Sequence, residues 1–357
     1  MHPLGAPVSV FKGDLAMKAN SRRTSDKERS RVFAAIAGGV VALVVLAHPQ
    51  SAAAKSKACK TSITACGCVA KKAAHYVVSK PLTSASASLD CLTVSAAHAV
   101  IDMGGNSITG PGGSATGAGI HILSSADGAV IESGGLTNSI NNFGVGVLVD
   151  ASNVVIETIL LLSNAQYGGV VNGGSNNAFY DLDAGQSTNA TSGNGIAGIK
   201  ILNGNNNFID DVIADHNTKY GIEISGGSNN SVHDSDGDSN GIYGIWIHGS
   251  NGNRLVNSTG RHNAQVGLYI GCAATGGPGA SCASSSTAST NVVKFGEWSS
   301  NTKIGVGVDT GDLANQIGIN KIDSNLADDA VDENINCGTN LWFLDSIDFM
   351  PAQACIQ

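Results

Sequence analysis

The sequence predicts an all-β solenoid, a coil of stacked parallel strands, on three observations. The phrase Gly-aliphatic-x-aliphatic returns at Gly198, Gly221, Gly244 and Gly267, each step being 23 residues. Asn207, Asn230 and Asn253 are each followed ten positions later by Asn217, Asn240 and Asn263, four residues before the next glycine. Within the units the apolar residues alternate: Ile222 and Ile224 share a face with Glu223 opposite, as Ile245 and Ile247 do with Trp246 opposite. A fixed period in the low twenties marks a unit that cannot bury its apolar face alone and must stack on its neighbours. Helical repeats are disfavoured because the units are rich in Gly, Asn, Ser and Asp, and the Leu framework of leucine-rich repeats is absent. Stacked parallel strands bring like residues about 4.8 Å apart. Asn in register then pairs amide to amide, and it also tolerates the left-handed backbone of tight corners.

The pattern N-x-I-x-(D/N)…N-x-x-Y-G-I-x-I resembles that of right-handed parallel β-helix proteins, the pectin-lyase-like group, over roughly residues 100 to 345. The resemblance implies a single-stranded right-handed parallel β-helix, a solenoid of roughly 20–30-residue turns with an Asn ladder. It implies no single activity, since the group spans lyases, hydrolases, epimerases and phage adhesins. The motifs of its enzymes are not matched. Ile209-Asp210-Asp211 offers the D-D pair of polygalacturonases, but Ile247-His248-Gly249 lacks a leading Gly and no R-I-K follows. The coil has only Arg254 and Arg261 for a pectate-lyase base, and the D-P-H of alginate epimerases is missing.

Residues 1–54 read as a signal peptide and leader. Lys18, Arg22, Arg23, Lys27, Arg29 and Arg31 precede the apolar run Val32 to Ala47 and then Ala52-Ala53-Ala54, the three regions of a secretory signal. The run is shorter than the roughly 20 residues of a membrane span. An uncleaved anchor is the alternative reading, and Met17 competes with Met1 as the start. The expected location is therefore secreted or periplasmic. Residues 55–110 are expected to form an N-terminal cap over the open end of the coil, with a short helix at Lys71 to Ala74. Residues 111–345 are the β-helix and 346–357 a C-terminal cover.

All eight cysteines follow residue 54, an even count that suits disulfides outside the cytoplasm. Cys272 and Cys282 bracket an insertion and are expected to clip it, and Cys337 and Cys355 to pin the last strands. Cys59, Cys66, Cys68 and Cys91 allow three pairings, and no zinc spacing accompanies Cys66-Gly67-Cys68. The ladder is read at Asn142, Asn164, Asn194, Asn217, Asn240, Asn263, Asn301 and Asn325. An interior column is read at Val130, Val155, Phe179, Ile209, Val232, Leu255, Val293, Ile317 and Trp342.

The formal charge is −8, and removing the seven basic and three acidic groups of the leader leaves −12. Such a surface disfavours nucleic acid and other polyanions unless cations bridge. Two places could carry chemistry. Asp210, Asp211, Asp234 and Asp236, with His216 and His233 nearby, offer paired carboxylates for glycoside hydrolysis, Asp211 and Asp234 sharing one frame position. Asp234, Asp236 and Asp238 offer oxygens for Ca²⁺, although Ser239 stands where an EF-hand loop needs Gly. The bland alternative makes all of these corner residues. The second place is the outward strand column, where Lys200, Glu223, Trp246 and Tyr269 are read as a substrate-binding surface with an exposed aromatic step for sugar rings. The alternative there is that a loop such as Gly271 to Ser281 covers the rings. The expected partner is a polysaccharide or cell-surface glycan. Three readings stay open: a secreted glycan-binding β-helix, a glycan-cleaving enzyme using the Asp cluster, and a non-catalytic structural surface protein.

Overall fold

The computed structural model describes residues 57–185, 193–272, 287–343, 345–347, 353 and 355–356. Short strands follow one another with turns between, and each pairs in parallel with the corresponding strand of the next turn. Twelve strands form sheet A, from Lys57–Ala58 through Tyr167–Asn172, Ala197–Leu202, Tyr220–Ser225, Tyr243–His248 and Val266–Ile270 to Asp328–Asp332. Sheet B runs from Ser62–Ile63 through Ala178–Asp183, Phe208–Ile213, Ser231–His233 and Arg254–Val256 to Leu341–Phe343. A third face begins as the short strands Leu82–Thr83, Ile108–Thr109, Ser139–Asn141 and Leu160–Leu162. It continues as single bridges from Ile213 through Asp236, Thr259 and Glu297 to Lys321.

The 23-residue period appears as register. Ile199, Ile222, Ile245 and Leu268 stack in one column of sheet A, and Ile201, Ile224, Ile247 and Ile270 in the next. These side chains are fully buried and form one long core, each contributing roughly 1.5–3 kcal/mol. On sheet B the interior column is Ile131, Ile156, Phe179, Ile209, Val232, Leu255, Val293, Ile317 and Trp342. Val130 and Val155, expected inside, are instead half-exposed. A slip of one residue in a strand sends every side chain to the other face, and the uneven early turns carry no marker that fixes the register.

Two Asn ladders hold the corners. One passes from Asn164 through Asn194, Asn217, Asn240, Asn263 and Asn301 to Asn325. The other passes from Asn177 through Asn207, Asn230, Asn253, Asn291 and Asn315 to Asn340. Asn142, expected as the first rung, is a left-handed corner instead (φ 62°). Phe143 takes the rung, its N–H donating to the Asn164 carboxamide oxygen at 3.1 Å.

Besides the left-handed positions at Asn203, Gly226 and Gly249, three left-handed corners recur in each turn of the regular block. One lies just before each ladder, as at Asn206 and Asn229 or His216 and Ser239. The third follows the sheet B strand at Thr158, Asp181, Asp211, Asp234, Asn257, Phe295 and Ile319, with φ between 47° and 61°. Asp and Asn suit this backbone, whereas bulky Phe295 and branched Ile319 adopt it at a cost.

The segment expected as a cap supplies strands from Lys57–Ala58 to Ile108–Thr109 that pair directly with those that follow, without a break at residue 110. Lys71 to Ala74 is a bend, and no α-helix occurs among the described residues. No described helix is long and apolar enough to cross a membrane. Cys59 is bonded to Cys68, Cys66 to Cys91, and Cys337 to Cys355. The first two tie the opening turns together. The third holds the tail, where Ile356 is buried in the core. Cys282 lies outside the described residues, and with it the expected Cys272–Cys282 clip.

Candidate functional site

The outward face of sheet A carries the column Val170, Lys200, Glu223, Trp246 and Tyr269, stacked in that order. Its rings are not exposed. Trp246 is 5% and Tyr269 0% accessible, and they pack with Tyr220, Tyr243, Ala197 and Val266 in a second apolar cluster outside the main core. Trp246 Nε1 donates to the Gly271 carbonyl at 2.7 Å, and Tyr269 donates to Asp309 Oδ2 at 2.5 Å. An aromatic surface open to sugar at these residues is therefore corrected. Alternation fixes which side of a strand a ring leaves from, but not what lies above it. Most of the loop Gly271 to Ser281 falls outside the described residues.

Beside these rings the polar members form a closed set. Glu223, 3% accessible, accepts from Lys200 Nζ at 2.7 Å and from His248 Nε2 at 3.1 Å. Burial pushes the Glu223 carboxyl up, but His248 and Lys200 more than compensate and hold it below the usual carboxylate range. His248 stacks on Trp246 with ring centres 3.8 Å apart. Lower on the same face, His121 sits between Asp90 and Asp150 at 2.8 and 2.9 Å. Burial alone would lower its pKa, yet the hydrogen bonds it donates to Asp150 and Asp90, with their charges, raise it to about 9.

The acidic residues distribute over three columns. Asp236 and Asp238 flank the Thr259 hydroxyl at 2.7 and 2.9 Å, and Arg261 clamps Asp238 through Nε at 2.8 Å and Nη2 at 2.7 Å. Asp215, buried beside them, accepts from the Asp238 N–H at 2.7 Å. Burial, with the charges of Asp238, Asp236 and Asp183, pushes Asp215 up to about 7. Asp234 belongs to the corner column, where Asn257 donates to it. Thus Asp234, Asp236 and Asp238 do not converge as one cation cage. Among the described residues no group of three or more His, Cys, Asp or Glu is arranged to hold a metal.

Asp210 projects outward on sheet B, in register with Tyr180 on one side and His233 on the other. Burial raises its pKa, and the charges of Asp234 and Asp211 add to this against His233. The structure therefore brings Asp210, Asp211, Asp234 and His233 together, and leaves Asp236 with Thr259. His216 is a left-handed corner next to the ladder.

Alongside Asp210 stands an aromatic step that the sequence reading missed. Tyr180, Phe208 and His233 climb three successive turns, with ring centres 5.6 and 5.1 Å apart, all half-buried. Arg254 follows on the next turn and is exposed. The missed signal was alternation within Ala178–Asp183 and Phe208–Ile213, which places Tyr180 and Phe208 outward. The longer turn between those strands hid their adjacency.

Residues 145–322 match the family model described as "Right handed beta helix region". Among curated protein sequences none matches the chain. Several solved structures are similar. The periplasmic alginate epimerase AlgG is 14% identical with a TM-score of 0.43, the match covering 77% of this chain and 55% of that one. The Dettilon tailspike protein is 11% identical with a TM-score of 0.49, covering 80% and 59%. The A-module of Azotobacter vinelandii mannuronan C-5 epimerase AlgE6 is 14% identical with a TM-score of 0.46, covering 80% and 82%. The chain thus spans little more than half the length of the first two. The family match over residues 145–322 agrees with the continuous parallel pairing of one strand per sheet per turn, and the chain folds as a right-handed parallel β-helix.

Proposed function

We propose that this β-helix binds a polysaccharide on the outward face of sheet B, with Tyr180 and Phe208 as the sugar platform. The observation that carries the reading is the step itself: two aromatic rings on adjacent turns, 5.6 Å apart and both partly open to solvent. Aromatic faces pack against the C–H faces of sugars, and neighbouring polar groups fix orientation. Asp210, Asp211 and Asp181 supply acceptors for sugar hydroxyls beside the rings. The predicted mature charge of −12 favours a neutral or cation-bridged glycan over a bare polyanion. Disulfides persist in oxidising compartments, and with the leader they support an extracytoplasmic location.

Affinity electrophoresis and retention on insoluble glycans test the reading. Wild type should be retained by at least one glycan, and Tyr180→Ala with Phe208→Ala should lose retention while melting like wild type. Equal retention of the double variant would discard the platform. No retention on a broad panel would favour a purely structural surface role.

A further inference from the structure

Ser231 and His233 occupy alternate positions of one strand, so both leave its outward side while Val232 is buried between them. The Ser231 hydroxyl lies 3.0 Å from His233 Nε2, the reach at which an imidazole takes a hydroxyl proton. The register places Ser231 between Phe208 and Arg254, and His233 between Asp210 and Val256. Phe208 meets the imidazole edge-on, its ring 70° from the imidazole plane, which restrains rotation of the base. Nucleophile and base remain half-buried and reachable. Asp210 lies in register beside the base and Arg254 beside the nucleophile, a carboxylate and a guanidinium of the kinds that acyl transfer uses.

We infer that Ser231 and His233 are a nucleophile–base pair that removes ester-linked acyl groups from the glycan bound on this face. Only the identity of the natural substrate rests on the glycan reading above. Ser231 Oγ forms a bond to the acyl carbonyl carbon as its proton passes to His233 Nε2. The ester C–O bond then breaks, and the sugar oxygen leaves with that proton. Water, deprotonated by His233, attacks the acyl-serine, releasing the carboxylic acid and returning the proton to Ser231. Asp210 is a positioning residue that orients and balances the imidazolium, and Arg254 meets the charge developing on the carbonyl oxygen.

The test uses the full chain and an alkyl fluorophosphonate, without glycan. Attack by Ser231 forms an O–P bond, breaks the P–F bond and releases fluoride with the serine proton. The expected result is one adduct by intact mass, mapped to the peptide containing Ser231 and absent in Ser231→Ala. His233→Gln keeps a hydrogen-bonding partner for Ser231 but accepts no proton, so labelling and p-nitrophenyl acetate hydrolysis should slow by roughly 100-fold or more. A folded wild type with no adduct on Ser231, or His233→Gln labelling at the wild-type rate, overturns the proposal. Labelling without glycan retention would leave the esterase standing and remove the binding reading, and retention without labelling would do the reverse.

Discussion

The carboxamide oxygen of Asn240 accepts two hydrogen bonds from Asn217, one turn away: the backbone N–H at 2.9 Å and the side-chain Nδ2 at 3.2 Å. The same Nδ2 donates to Ala184 at 3.0 Å, while Asn217 Oδ1 receives both donors of Asn194. Asn217→Ala would strand the Asn194 donors and the Ala184 carbonyl on the preceding turn, while Asn240 would keep only the bond from the residue 217 N–H. A buried group left unpaired costs about 1–3 kcal/mol, so urea unfolding should show a loss of roughly 3 kcal/mol. A loss below roughly 1 kcal/mol would mean that the ladder guides register without stabilising the coil.

Trp246 should behave as a core residue. Trp246→Ala removes a buried indole and leaves the Gly271 carbonyl without its donor, and such truncations cost about 3–5 kcal/mol. The melting temperature should fall before any effect on glycan retention is meaningful. An unchanged melting temperature would restore this ring to the list of surface contacts.

Asp215 should make the protein less stable as pH rises. Burial pushes its carboxyl up to about 7 in the folded chain, from an ordinary value of 3.8. The folded state therefore binds this proton more tightly, and the stabilisation is full below about pH 4 and lost as pH climbs through 7. Asp215→Asn keeps an acceptor for the Asp238 N–H, so it should match wild type near pH 4. At about pH 8 it should be more stable by on the order of 2–4 kcal/mol, since one unit is worth about 1.4 kcal/mol. Parallel pH profiles for the two proteins would contradict this.

His121 should stay protonated in mildly alkaline solution. Its folded pKa of about 9 stands above the ordinary histidine value of 6.5, so its contribution is complete below 6.5 and disappears as pH passes through 9. The ring C–H resonances in NMR should keep their acidic positions at about pH 8. Replacing both Asp90 and Asp150 by Asn should return the titration toward the ordinary histidine range.

Much of the coil was legible because stacking needs like residues at fixed separation, and from Gly198 to Ile270 that separation never varies. Where turn length drifts, legibility drifted too. Val130 and Val155 were placed inside by a frame that Ile131 and Ile156 occupy. Asn142 fell one residue short of its rung for the same reason. The candidate site was half legible. Asp210, Asp211 and Asp234 could be grouped from frame position, and the sheet A column was read in its true order. The burial of Trp246 and Tyr269 could not be read, because alternation carries no information about a third layer. Tyr180 and Phe208 meet across a turn that departs from the 23-residue step, so spacing did not show them as neighbours.

The constant step also gives the molecule something like a reading frame in space. Excising residues 221–243 would carry Gly244 into the place of Gly221, lay Ile245 over Ile199, and join Asn194 and Asn217 to Asn263 through an unbroken file of amides. Excising one residue fewer would invert every strand beyond the cut, turning oily surfaces outward. Growth and shrinkage of such a chain are therefore quantised, and only whole-turn changes pass without penalty.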